Sequence, residues 1–157
     1  MVSAILSAPK KVLLVKGVGN GDSKLTAFDS ALVNAGIGDI SLIRVTSILP
    51  PAVEFIPAFN FPTGCSIPAI YSVYTSENNT RIISASIGYA RTENGPVLVA
   101  ESAGETPVDI QQARVRSHLD KMLDARCRHP SRPYFIDGIE ATVTNITCVF
   151  TGIIYVE

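Results

Sequence analysis

Tryptophan is absent from the chain, and histidine, methionine and cysteine number only two, two and three. From His118, His129 and three widely spaced cysteines, a His/Cys metal cluster would have to be assembled from almost nothing, so no metal is expected. The cysteines, Cys65, Cys127 and Cys148, are odd in number and far apart. That argues against a disulfide framework and for a reducing, cytoplasmic compartment. Charge is scarce too. Charged residues make up 17% of the chain and the formal net charge is −1, which leaves no basic face to follow a phosphate backbone and argues against nucleic acid as a partner. No stretch approaches the roughly 18 apolar residues that would cross a bilayer. The opening MVSAILSAPKK carries too short an apolar run for a secretion signal, so no membrane partner is expected. The Asn-x-Thr sequons at Asn78 and Asn145 read as chance matches.

What is present suits one domain: 157 residues with 46% hydrophobic content, enough for a sizeable core. KKVLLVKGVG (10–19) reads as a strand and the glycines after it as a turn. SKLTAFDSALVNAG spaces Leu25, Phe28, Leu32 and Ala35 as a helix, with Ser23 as its cap and Gly36 past its end. DISLIRVTSIL reads as a second strand, stopped by Pro50-Pro51 because proline lacks the N–H a ladder needs. A Pro- and Gly-dotted connection (51–66) follows. IPAIYSVYTS, TRIISASIGYAR with small residues on one face, and GPVLVAE read as three more strands. Thr106 as cap and Pro107 in the first turn open a second helix, with Asp109 near the positive end of its dipole. Its stripe is Val108, Val115, Leu119, Met122 and Leu123. DGIEATVTN and TCVFTGIIYVE close the chain. Two helices among roughly seven strands indicate an α+β sandwich rather than a regular βαβ fold.

Four features invite a chemical reading. The loop GVGNGDSK stands between a strand and a helix, where anions bind. It lacks the last glycine of GxGxxG and the ending of a P-loop, so an ordinary turn is the better reading. Asp29 follows Leu25 by four residues and precedes Leu32 by three, which puts a carboxylate beside the apolar stripe. A charge there calls for a cation, either Arg44 on the next strand or a cationic ligand. Glu101 shares the parity of Val97 and Val99. It is either a desolvated carboxyl with a raised pKa, suited to donate a proton, or a strand-end carboxylate reaching water. Thr46-Ser47 ends a strand without a conventional base nearby in sequence. Chemistry at Ser47 would then be chemistry on its own backbone.

The run LTAFDSALVNAGIGDISLIRVTSILPP (25–51) resembles the pyruvoyl-dependent arginine decarboxylases. The likeness continues through PTGCSIPAIYSVYTS, ISASIG and GPVLVAESAGE. The resemblance implies a four-layer αββα sandwich that assembles as a homotrimer, with active sites where two protomers meet. It implies self-cleavage between Thr46 and Ser47, giving a β chain 1–46 and an α chain 47–157 that begins with a pyruvoyl group derived from Ser47. L-arginine would form an imine with that group and leave as agmatine and carbon dioxide, in polyamine synthesis or acid resistance, without pyridoxal phosphate. By the same resemblance Asp29 and the backbone at Gly38 and Ile40 hold the guanidinium, Leu25, Leu32 and Ile48 line the pocket, and Glu101 protonates Cα.

In one place the chain departs from the pattern. The family usually has an asparagine associated with self-cleavage six residues before the reactive serine, and this chain has Ser41 there. A serine hydroxyl can donate one hydrogen bond to an oxyanion but reaches less far than an amide. Two alternatives follow: an uncut, non-catalytic paralogue that acts as a ligand-binding or partner subunit, and a processed decarboxylase of another cationic amino acid.

Overall fold

The computed structural model describes residues 8–156. Most of the segment weighed above as a secretion signal lies outside them. The elements run β1 (Lys11–Gly21), α1 (Lys24–Asn34), β2 (Ser41–Arg44), β3 (Ile48–Leu49), β4 (Glu54–Ile56), β5 (Ser66–Ser76), β6 (Ile82–Arg91), β7 (Val97–Gly104), α2 (Val108–Asp124), β8 (Phe135–Thr142) and β9 (Ile146–Tyr155). The strands form a mixed sheet in the order β2-β5-β9-β1-β4 and an antiparallel sheet in the order β3-β7-β6-β8.

Three apolar layers hold these parts together. Leu13, Ala27, Ala31, Cys148 and Phe150 join α1 to the five-stranded sheet. Val12, Ile70, Ile87, Val99 and Ile153, with Ile83, Ala85 and Val149 beyond them, fill the space between the sheets. Leu98, Ala90, Val115, Leu119 and Leu123 join the four-stranded sheet to α2. The order helix, sheet, sheet, helix accords with the α+β sandwich read from the sequence, and it follows from strands apolar on both faces, which need cover on each side.

Several local expectations are corrected. The glycines after residue 16 are not a turn or an anion loop: β1 continues through Gly21, and Gly17, Gly19 and Gly21 form the face on which α1 lies. A Cβ at Gly17 would stand 2.8 Å from the nitrogen of Ala35 and collide with the Ala31 carbonyl. The helix therefore buries its small side, Ala27 and Ala31 with Leu32, while Leu25 is 75% exposed. Ser23 does cap α1, in a reciprocal box with Thr26, and Gly36 takes the positive φ of 80° just past its end.

At α2 the cap is Pro107, and no side chain bonds its first turn. Thr106 instead accepts from buried Gln111 at 2.7 Å, and Gln111 in turn accepts from Ser102 on β7 at 2.5 Å. That polar clip fixes the start of α2 to β7. The small-residue face of the 80–91 stretch lies beneath this helix: Ser84 and Ser86 are fully buried, and a Cβ on Gly88 would come within 2.9 Å of Val115. The connection 51–66 contains a short strand, β4, paired in parallel with β1.

The correction that bears on function concerns residues 39–49. They do not form one strand. β2 pairs in parallel with β5 in the first sheet, and β3 pairs with β7 in the second. The chain changes sheets between them, and Thr46-Ser47 lies on the crossing.

Among the described residues no helix is long and apolar enough to cross a membrane. The three cysteines are free thiols, with Cys148 buried, Cys65 half-buried and Cys127 exposed.

Candidate active site

The crossing is pinned on both sides. Val45 still donates to the Ala69 carbonyl of the first sheet at 3.0 Å, while the Ser47 carbonyl accepts from Val99 of the second at 2.9 Å. Between these anchors the N–H of Ile48 donates back to the carbonyl of Thr46 at 2.9 Å. This i to i+2 bond is a γ-turn with Ser47 at its corner. Thr46 is exposed and Ser47 half-buried. Pro50 then ends β3 after two residues, so β3 covers only Val97 and Leu98 of β7. Beyond Val99 that edge of the sheet is uncovered, and Glu101 stands there.

The Ser47 hydroxyl donates to Glu101 Oε2 at 3.2 Å. β7 runs on to Gly104, so Glu101 is not a strand-end residue. Its inward parity with Val97 and Val99 holds, and burial pushes its pKa above the usual carboxylate value. The Ser47 hydrogen bond, Arg44 and His118 oppose that shift without cancelling it. Arg44 approaches Glu101 Oε1 to 4.0 Å, donates to the Tyr71 carbonyl at 2.9 Å and lies 4.7 Å over the Tyr71 ring. Ser47, Val99, Ala100 and Glu101 share a recess of about 340 Å³ with His118, Lys121 and Met122 of α2. A hydroxyl and a partly desolvated carboxyl thus face the same space, an arrangement able to move a proton to or from an atom held at residue 47.

Of the remaining candidates Ile48 adjoins Ser47, and the others lie elsewhere in the chain. Asp29 is exposed on α1. Among the described residues no ion pair reaches it, and Arg44, its suggested partner, is engaged with Tyr71 and Glu101. The reasoning that a buried charge there must be paired falls away because α1 turns its alanine side to the sheet. Leu32 is in the core, and Ile48 is 38% exposed. Gly38 and Ile40 line a second recess of about 310 Å³ with Asp39, Phe59 and Phe61. It shares no lining residue with the first. Ser41 is exposed at the start of β2, and about 10 Å of extended strand separates it from Arg44.

Two participants were missed in the sequence: Arg44 as the cation beside Glu101, and His118 as a wall of its recess. His118 precedes Leu119 in the buried stripe, so the helical period shows that it flanks the sheet. Nothing in the pattern says that α2 crosses above Glu101. Among the described residues no group of three His, Cys, Asp or Glu side chains could hold a metal.

Comparison with known proteins identifies the family. Residues 11–157 match the family model for pyruvoyl-dependent arginine decarboxylase. A pyruvoyl-dependent arginine decarboxylase of Methanocaldococcus jannaschii is 33% identical over 95% of this chain and 91% of that protein. The Methanococcus vannielii protein of the same name is 40% identical over 92% of this chain and 89% of its own length, and that of Methanopyrus kandleri 35% identical over 77% and 79%. A single family covers nearly the whole length, including the crossing at Ser47 and the strand of Glu101, and the chain belongs to the pyruvoyl-dependent arginine decarboxylase family.

Proposed function

We propose that this chain cuts itself between Thr46 and Ser47, turns Ser47 into a pyruvoyl group and decarboxylates L-arginine to agmatine. The observation that carries the reading is the Ser47 corner: a serine on an exposed crossing between two sheets, its hydroxyl on a carboxyl whose pKa is raised. The bond suits scission, because β2 stays in the ladder with β5 and β3 in the ladder with β7 when it breaks. Neither sheet loses a strand.

When formed, the group supplies a carbonyl conjugated to an amide, which takes up the electron pair released as the carboxylate leaves. The chain's own residues do the rest. Glu101, held protonated more readily than an ordinary glutamate, delivers the proton to the substrate Cα. Arg44 and His118 bias that carboxyl toward ionisation once the proton is given. Ile48 and Leu25 supply apolar wall, which favours loss of a charged carboxylate as neutral carbon dioxide. Asp29 and the carbonyls at Gly38 and Ile40 receive the guanidinium, a planar cation matched to a carboxylate.

The separation of the two recesses supports a trimer whose sites lie between protomers, with the guanidinium end supplied by one chain and Ser47 and Glu101 by its neighbour. The same assembly gives Ser41 a way to act on a neighbouring chain's bond. Three free thiols suit a cytoplasmic setting.

Intact mass under denaturing conditions tests the reading. Species of about 5 and about 12 kDa, the larger without an ordinary amino terminus, are expected, together with agmatine from arginine. Ser47→Ala should leave one inactive 16.8 kDa chain. If the unaltered protein also stays at full length, the uncut, non-catalytic reading that Ser41 favours takes its place.

A further inference from the structure

We infer that the backbone N–H of Ile48 is the oxyanion donor for self-cleavage, because it already holds the Thr46 carbonyl oxygen at 2.9 Å. The inference rests on the self-cleavage reading and names a group that this reaction needs. When Ser47 Oγ bonds to the Thr46 carbonyl carbon, the carbonyl π pair moves onto that oxygen, which becomes the anion. The C–N bond then breaks, the nitrogen of Ser47 ends with the proton that the hydroxyl began with, and an ester joins Thr46 to Ser47. No other reactant enters this step. A donor placed on the oxygen before the attack stabilises the charge without reorganisation, and loss of one such donor typically costs about 100- to 1,000-fold in rate.

A γ-turn is common where a strand begins, so the bond alone would mean little. Its surroundings say more. Ile48 stands opposite Leu98 in the β3–β7 register, yet its N–H turns back to Thr46. Among the backbone hydrogen bonds of the described residues it is the donor that reaches this oxygen. The anchors at Val45 and Ser47 hold the peptide from both ends, and Glu101 of β7 orients the Ser47 hydroxyl. The Ser41 N–H lies at the far end of β2 and serves the Cys65 carbonyl, while Arg44 donates to the Tyr71 carbonyl and approaches Glu101. A main-chain N–H is lost only to proline, so it persists where Ser41 stands in place of the usual asparagine.

The test replaces single amides by esters through translation with α-hydroxy acids. One chain carries the hydroxy analogue of isoleucine at position 48, which removes that N–H and keeps the side chain. A control carries the leucine analogue at position 49, one residue further along β3. Mass spectrometry follows scission between residues 46 and 47 with time. The expected result is cleavage slowed about 100-fold or more at position 48 and close to the unmodified rate at position 49. Equal rates for the position-48 ester and the unmodified chain overturn the inference, as does equal slowing by both esters. An unmodified chain that remains whole instead sinks the self-cleavage reading, and this inference with it.

Discussion

A carboxyl at the edge of a buried strand face is in an electrostatic contest, and at Glu101 burial prevails over Ser47, Arg44 and His118. A raised folded-state pKa means that proton binding favours the fold. The stability it contributes is fully present below the unfolded-state pKa and is lost as pH rises through the folded one. In an uncut Ser47→Ala background, Glu101→Gln should remove that dependence, so the melting temperature of the double variant should gain on that of Ser47→Ala between about pH 4 and about pH 8. Thermal melts at the two pH values check the sign. In the processable chain, Glu101→Gln should retain the fold and lower decarboxylation by about 100-fold or more, the usual worth of a placed acid. The inward orientation of Glu101 was legible in its parity with two valines. Its opposing cation was not, since Arg44 was matched to Asp29 by proximity in sequence alone.

At the scale of elements, the sequence marked both helices and most strands, but it could not show the break after Arg44. Alternation of apolar residues looks the same whether a run stays in one sheet or turns a corner into another, because the pattern reports burial and not the identity of the neighbour. The glycines of β1 carry a readable signal beyond the strand itself. Gly17, Gly19 and Gly21 recur with period two, and Ala27, Ala31 and Ala35 recur with period four, which are the two halves of a close strand–helix contact. Gly19→Ala should therefore destabilise the protein by about 1–3 kcal/mol, the usual cost of forcing an extra carbon into a packed seam. Its Cβ would come within 2.6 Å of the Ser30 backbone. Urea denaturation of the purified variant measures this, and an unchanged midpoint would mean that α1 can lift off without penalty.

For the whole molecule the question is how the proposed guanidinium residues on α1 and the 38–40 segment could meet Ser47, since the recess at Gly38 and Ile40 shares no residue with the one at Ser47 and Glu101. If two protomers complete each site, Asp29→Ala and Glu101→Gln chains are each inactive alone and complement each other when mixed before assembly. Random mixing gives roughly a quarter of sites with both native residues. Recovery of about that share of arginine decarboxylation is expected. No recovery in a mixed oligomer verified by mass would place the site within one chain. The exposed Asp29, Leu25 and Ile48 are consistent with surfaces that another protomer covers.

The sequence by itself determined both helices and the longer strands, because helix and strand periodicity, the Ser23 cap and the paired prolines are local and act through neighbouring residues. It also determined the family, because a long run of residues carries far more information than any three-residue motif. Only the tertiary structure decided that β2 and β3 join different sheets, that Ser47 forms a pinned corner against Glu101, and that α2 brings His118 over both. These depend on packing between segments remote in the chain, and burial patterns specify that a face is covered without specifying what covers it.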